Sequence, residues 1–181
     1  MIERLKKGVD EMKKILMVTV ALVVSLSAVE VGKVPSTVVL NGKNGGTVEG
    51  KPWSSQSLHG KVHILLYVDP DERKKNDPLT KALKAQQFDQ SKFASVAVIN
   101  LAATWLPNVV LESLLKKKQK EFPRTVYVKD KKKVLVKRWA LADDESDVLL
   151  FDRDGKLLYK KYGRLSDAEI AALIALIKQT L

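Results

Sequence analysis

Cysteine is absent from all 181 residues. Disulfides, thiol catalysis, thiolate-held zinc and lipid attachment at a cysteine are excluded with it. Histidine is scarce: His59 and His63 are the two in the chain. They stand four apart, but Gly60 and the start of a strand lie between them, so they share no helical face. With no third imidazole, a histidine-dominated metal site is not expected. Neither a glycine-rich phosphate loop nor a Gly-x-Ser-x-Gly elbow is present. Aromatic residues are few, so stacking platforms interleaved with the lysines are scarce, which argues against nucleic acid as a partner. No cofactor is expected.

What remains is a chain long enough for one domain with a real core. Its apolar share of 45% and charged share of 29% are those of a globular protein. The N-terminal part reads as an export signal, "MKKILMVTVALVVSLSAVE" from Met12. Lys13 and Lys14 form its basic start, and residues 15–26 are uncharged and mostly apolar. A run of twelve is short for a bilayer span and typical of a secretory leader. The small residues Ser25, Ser27 and Ala28 follow, so cleavage is expected after Ser27 or Ala28. On this reading residues 1–11 are an upstream extension ahead of a start at Met12, residues 12–28 are the signal peptide, and residues 29–181 are the mature domain. The expected location is the periplasm.

Removing residues 1–28 leaves 27 Lys and Arg against 18 Asp and Glu, a balance of +9. Residues 116–138 hold eleven basic residues against Glu121 and Asp130, also +9, so the rest of the mature chain is near neutral. The net positive charge belongs to one segment.

"KVHILLYV" from Lys61 is a nearly continuous apolar run, suited to a strand covered on both faces. A helix follows with Asp77 as N-cap and Pro78 in its first turn, presenting Leu79, Leu83 and Phe88 to the core. "FASVAVINL" from Phe93 is the second buried strand, which implies a parallel crossover. Asn108 can cap a second helix whose apolar stripe is Val110, Leu111, Leu114 and Leu115, ended by Pro123. Asn41-Gly42 and Gly45-Gly46 read as turns near the front. "TVYVKDKKKVLVKRW" and "DVLLFDRDGKLLYKKY" both read as hairpins, the second marked by Asp154-Gly155. The last helix opens with a capping box, Ser166 to Glu169, and keeps Ile170, Leu173, Ile174 and Ile177 on one face.

Strand–helix–strand–helix, two hairpins and a closing helix make a βαβ half followed by a ββα half. "DVLLFDRDGKLLYKKYGRLSDAEIAALIALIKQTL" resembles the ββα ending of thioredoxin-like and peroxiredoxin-like periplasmic proteins, and "LHGKVHILLYV" resembles their first central strand. With "KPWSSQSLHGKV" and "VLVKRWALADDES" added, the chain is similar to the YtfJ family of exported bacterial proteins over residues 31–181. The resemblance implies an α/β, thioredoxin-like fold: a central mixed sheet flanked by helices, with an extra β-hairpin. In redox relatives a Cys-x-x-Cys falls just after the first central strand. Here Asp69, Pro70, Asp71 and Glu72 hold that place, and Ser146 stands where such enzymes keep a cis-proline. A carboxylate cannot replace the thiolate that attacks sulfur, so thiol redox catalysis is excluded.

The remaining place for a site is the crevice at the C-terminal ends of the parallel strands. Asp69, Asp71, Glu72, Trp105 and Ser146 are its candidate binding residues, and no catalytic residue is assigned. The acidic spacing matches no calcium loop, and "DRDG" at Asp152 has Gly163 where an EF-hand needs its twelfth-position glutamate. Trp139 reads as a residue at the edge of the core, and His63 as a satisfied strand residue. Lys131, Lys132 and Lys133, expected at a hairpin tip, form a second candidate surface with residues 116–118, suited to an anionic protein or membrane. The expected function is a non-redox binding or accessory module. The alternatives are a non-redox enzyme using Asp69, Asp71 or His63, and a protein that binds anionic membrane surfaces.

Overall fold

The run at residues 61–68 does become the centre of a sheet. The computed structural model describes residues 28–181, so the expected extension and all of the signal peptide but Ala28 lie outside the described residues. In chain order the elements are β1 (Val39–Leu40), β2 (Gly45–Thr47), β3 (Trp53–Ser54), β4 (Val62–Val68), α1 (Asp77–Gln86), β5 (Phe93–Asn100), α2 (Asn108–Glu121), β6 (Thr125–Asp130), α3 (Val134–Trp139), β7 (Ser146–Phe151), β8 (Leu157–Lys161) and α4 (Asp167–Thr180). Six strands form one sheet in the order β2-β6-β5-β4-β7-β8. β4, β5 and β6 run parallel, while β7, β8 and β2 pair antiparallel with their neighbours.

Alternation along β4 sorts the core into two sides. Val62 and Ile64 meet Leu79 of α1 and Ile170, Leu173 and Ile177 of α4. Val68 joins Ala97 and Ile99 of β5 and Leu111 and Leu115 of α2 on that same face. On the other face Leu65 and Tyr67 pack with Val96, Val98, Leu135, Trp139 and the arm residues Leu40 and Trp53. Trp139 is thus a core residue, its indole N–H donating to the Ser36 carbonyl at 2.8 Å.

The closing half matches expectation. β7 and β8 form the hairpin, and Asp152 accepts from the amides of Asp154 and Lys156 inside its turn, both at 2.9 Å. Ser166 accepts from the Glu169 amide while the Ser166 amide donates to the Glu169 carboxylate, completing the capping box. That carboxylate also pairs with Lys161, and these bonds hold it at about 2.

Four expectations change. The extra β-hairpin at residues 125–139 is instead a strand followed by the helix α3. The cause is Asp130, whose carboxylate accepts from the amides of Lys132, Val134 and Leu135 and turns the chain out of β6. Leu135 and Trp139, four apart, are then both buried, as one helical face requires. Gly45-Gly46 is an edge strand rather than a turn: it runs so close to β6 that a Cβ on Gly45 would overlap the Lys129 carbonyl. The helix starts shift by one residue, so Asn76 and Pro107 hold the cap positions that Asp77 and Asn108 were expected to fill. Finally, only half of the stripe on α2 is buried. Leu111 and Leu115 dock on the sheet, whereas Val110 and Leu114 face outward.

Asp130 is fully buried, and its oxygens satisfy three amides and the Tyr67 hydroxyl. Asp130→Ala would leave those donors without a partner. It is expected to lower unfolding free energy by about 3 kcal/mol in a urea titration, and a loss below about 1 kcal/mol would contradict the capping role.

Candidate functional site

The C-terminal ends of β4, β5 and β6 and the start of β7 bring together an unusual number of buried polar side chains. Asp69 leaves β4 buried, and its carboxylate accepts from the Asp71 amide at 2.8 Å, capping the short turn of residues 70–72. Its own amide donates to the Glu145 carbonyl. Burial raises its pKa against the pull of that Asp71 amide, and the charges of Asp71, Asp144 and Glu72 push the same way as burial.

Asn76 then closes the corner. Its amide nitrogen donates to the Ser146 carbonyl at 2.9 Å, the Ser146 hydroxyl at 3.1 Å and the Gly163 carbonyl at 3.1 Å. Its oxygen accepts from the Leu165 amide at 3.0 Å. One side chain thereby joins the start of α1, the start of β7 and the approach to α4. Above it Lys75 bridges Glu72 and Glu145 at 2.9 and 2.6 Å, and these bonds raise the lysine pKa.

Deeper on the α3 side lie Tyr67, Asn100, Asp130 and Asp147, all fully buried. Tyr67 and Asp147 are register partners across β4 and β7, and Asn100 and Asp130 across β5 and β6. The Tyr67 hydroxyl donates to Asp130 at 3.3 Å, and burial followed by that carboxylate raises its pKa far above the usual phenol value. Asn100 donates to both oxygens that Asp143 offers, the carbonyl and the carboxylate. Asp147 accepts from the Ala142 amide at 2.9 Å through one oxygen, while its other oxygen has no partner among the described residues. Burial pushes Asp147 up to about 7.

The candidate residues from sequence are not brought together as expected. Asp69 and Ser146 do meet at the corner, through neighbouring backbone and Asn76. Asp71 points into solvent and Glu72 is held by Lys75. Trp105 is 86% exposed on the loop between β5 and α2, so it does not line a crevice. His63 lies at the opposite end of β4 from Asp69, roughly 20 Å away at about 3.3 Å per residue. His63 therefore lies outside the crevice at the strand ends and cannot act there beside Asp69 or Asp71. His63 is buried, its Nδ1 meets the Lys61 carbonyl at 2.9 Å, and burial lowers its pKa.

Lys131, Lys132 and Lys133 sit at the β6–α3 junction, not on a hairpin tip. Lys131 pairs with Glu112 at 2.7 Å and Lys133 with Asp143 at 2.6 Å, leaving Lys132 exposed. Burial next to backbone donors is what sequence reasoning missed at Asn76, Asn100, Asp130 and Asp147. Asn100 and Asp130 are marked locally as polar residues ending apolar runs and Asp147 as one opening a run, whereas Asn76 carries no local sign. Among the described residues no group of three or more His, Asp or Glu side chains could hold a metal ion. An open groove of about 440 Å³ runs between α1 and α4, lined mainly by the apolar Pro78, Ala82, Ile170, Ala171 and Ile174, with Gln86 and Asp167 as its polar side chains.

A sequence profile of the bacterial family described as YtfJ_HI0045, of unknown function, matches residues 24–180. An uncharacterized protein of Haemophilus influenzae Rd is 30% identical over 156 residues, 84% of this chain and 83% of its own length. The uncharacterized protein YtfJ of Escherichia coli K12 is 25% identical over 135 residues, covering 72% and 73%. Among solved structures, a thiol peroxidase from Chromobacterium violaceum aligns with a TM-score of 0.62 at 11% identity, covering 84% of this chain and 88% of that one. The exposed lipoprotein thioredoxin of Streptococcus pneumoniae aligns at 0.58 and 13% identity, covering 80% and 99%. At such identities these two establish the fold alone, and it is thioredoxin-like.

Asp147 generates a test whose sign can be worked out. A carboxyl held at about 7 when folded and near 4 when unfolded favours the fold at low pH, and that contribution is lost as pH rises from about 4 to 7. His63, lowered by burial, acts oppositely: stability falls as pH drops below about 6.5. Comparing Asp147→Asn with the parent cancels the histidine. The variant should match the parent near pH 4 and be more stable by roughly 2–4 kcal/mol at pH 8. A difference that does not change with pH would contradict the burial of an ionisable Asp147.

Proposed function

This chain belongs to the YtfJ_HI0045 family, and we propose that it is an exported, periplasmic module that works by binding through its outer surface. The observation that carries this reading is the closed corner at the strand ends. Asp69 caps its own turn, and Asn76 and Ser146 are bonded to each other, so the residues best placed for chemistry are engaged by the protein's own backbone. Absence of cysteine removes thiol–disulfide exchange from the same position. The leader-like pattern of residues 12–28 supports export.

The basic segment supplies the surface. Lys129 and Lys131 meet Glu112, Lys133 meets Asp143, and Lys118 meets Glu121. Lys116, Lys117, Lys120, Lys132, Lys137 and Arg138 remain exposed and enter none of the ion pairs found among the described residues. Such a face attracts an anionic partner and does so less as salt rises.

Export is tested by expressing the whole chain in a Gram-negative host and releasing the periplasm by osmotic shock. The released protein should begin at Ala28 or Val29 by intact-mass measurement. Protein that stays in the cytoplasm with residues 12–28 attached would overturn the export reading.

A further inference from the structure

Helix α2 carries two kinds of exposed residue on one outward arc. At 3.6 residues per turn, Val109, Val110, Leu114, Lys116, Lys117 and Lys120 fall within about 160° of one another, turned away from the buried Leu111 and Leu115. The first half of that arc is apolar. Val109 is 81% exposed, Leu114 53% and Val110 46%, and Trp105 precedes them at 86%. The second half is cationic, with Lys116, Lys117 and Lys120 exposed. A soluble surface rarely groups a tryptophan and three large aliphatics without a partner to cover them.

We propose that this face docks on an anionic glycerophospholipid bilayer, with Trp105, Val109, Val110 and Leu114 entering the headgroup boundary and Lys116, Lys117 and Lys120 meeting lipid phosphates. The proposal rests on the surface-binding reading above and names the partner of that surface. A bilayer interface accepts both halves at once. Tryptophan settles at headgroup depth, aliphatic side chains bury in the acyl boundary, and lysines gain from the negative surface. An acidic protein would match the lysines by charge and would cover the apolar half only if it carried an exposed apolar patch of its own. The helix of 14 residues is about 21 Å long, so the lysine half lies within reach of the same membrane plane that the apolar half enters.

The sheet and its three apolar clusters lie within the described residues, so the test uses the chain from Ala28 onward. It is mixed with phosphatidylglycerol vesicles in dilute buffer, and bound protein is measured by co-sedimentation and tryptophan emission. Trp53 and Trp139 are already buried, so a blue shift on binding reports Trp105. The expected result is co-sedimentation with a blue shift, both lost at 0.5 M salt (a Debye length of about 4 Å) and both absent with phosphatidylcholine vesicles. The triple exchange of Lys116, Lys117 and Lys120 to Gln should weaken binding about 100-fold, and Trp105→Ala should remove the shift. These positions are exposed, so an unchanged melting curve shows that the variants fold.

No binding to phosphatidylglycerol in dilute buffer overturns the proposal. So does binding that the triple variant retains in full. If vesicles fail but an acidic protein is captured and lost in the triple variant, the lipid proposal falls and the basic-surface reading stands. If nothing anionic is held by the parent chain, both fall.

Discussion

Asp130 has no exposed surface, and no cation among the described residues is bonded to it, so the lone pairs on its carboxylate must find hydrogen-bond donors within the protein. The amides of Lys132, Val134 and Leu135 supply three, and the Tyr67 hydroxyl a fourth. Backbone amides can converge on one carboxylate only where the chain turns sharply, and here that turn ends β6 and begins α3. The helix in turn carries Leu135 and Trp139 onto the sheet, where the arm residues Leu40 and Trp53 close over them. One buried aspartate thus decides the local chain direction and the composition of one whole side of the core.

The same device recurs along the strand ends. Asp69 holds the Asp71 amide, Asp147 the Ala142 amide, and Asn76 the Leu165 amide. Each converts a loop that could have stayed open into a fixed connection. The thioredoxin-like fold is therefore kept while the place that faces a redox partner in thiol enzymes is closed by internal hydrogen bonds. The outward face of α2, the lysines around it and the groove between α1 and α4 remain accessible to other molecules.

Much of this architecture is written in local pattern. β4 and β5 are continuous apolar runs between polar turns, and α4 announces itself by Ser166 and Glu169. Segment 134–136 was ambiguous, since "VLV" fits a strand or a helix turn equally well. Only the four-residue spacing of Leu135 and Trp139, with an aspartate just upstream, separates the two. Gly45-Gly46 reads as a turn by residue type, but its glycines serve close approach to β6, which no local rule reveals. The corner formed by Asn76 could not be read at all. Its partners lie 70 to 89 residues away in sequence, and a contact of that range leaves no periodic mark. On α2 the apolar stripe was legible, yet which part of it would meet the sheet depended on neighbours placed by the fold.

The strand ends are a hydrogen-bonded scaffold, not an open site. Native-state hydrogen exchange at the amides of Asp71, Leu135, Ala142 and Leu165 tests it most directly, because each donates to a buried side chain there. The claim predicts exchange as slow as that of the β4 core amides, limited by opening of the whole domain. Exchange at the rate of an exposed loop would show a region that opens on its own, and would contradict it.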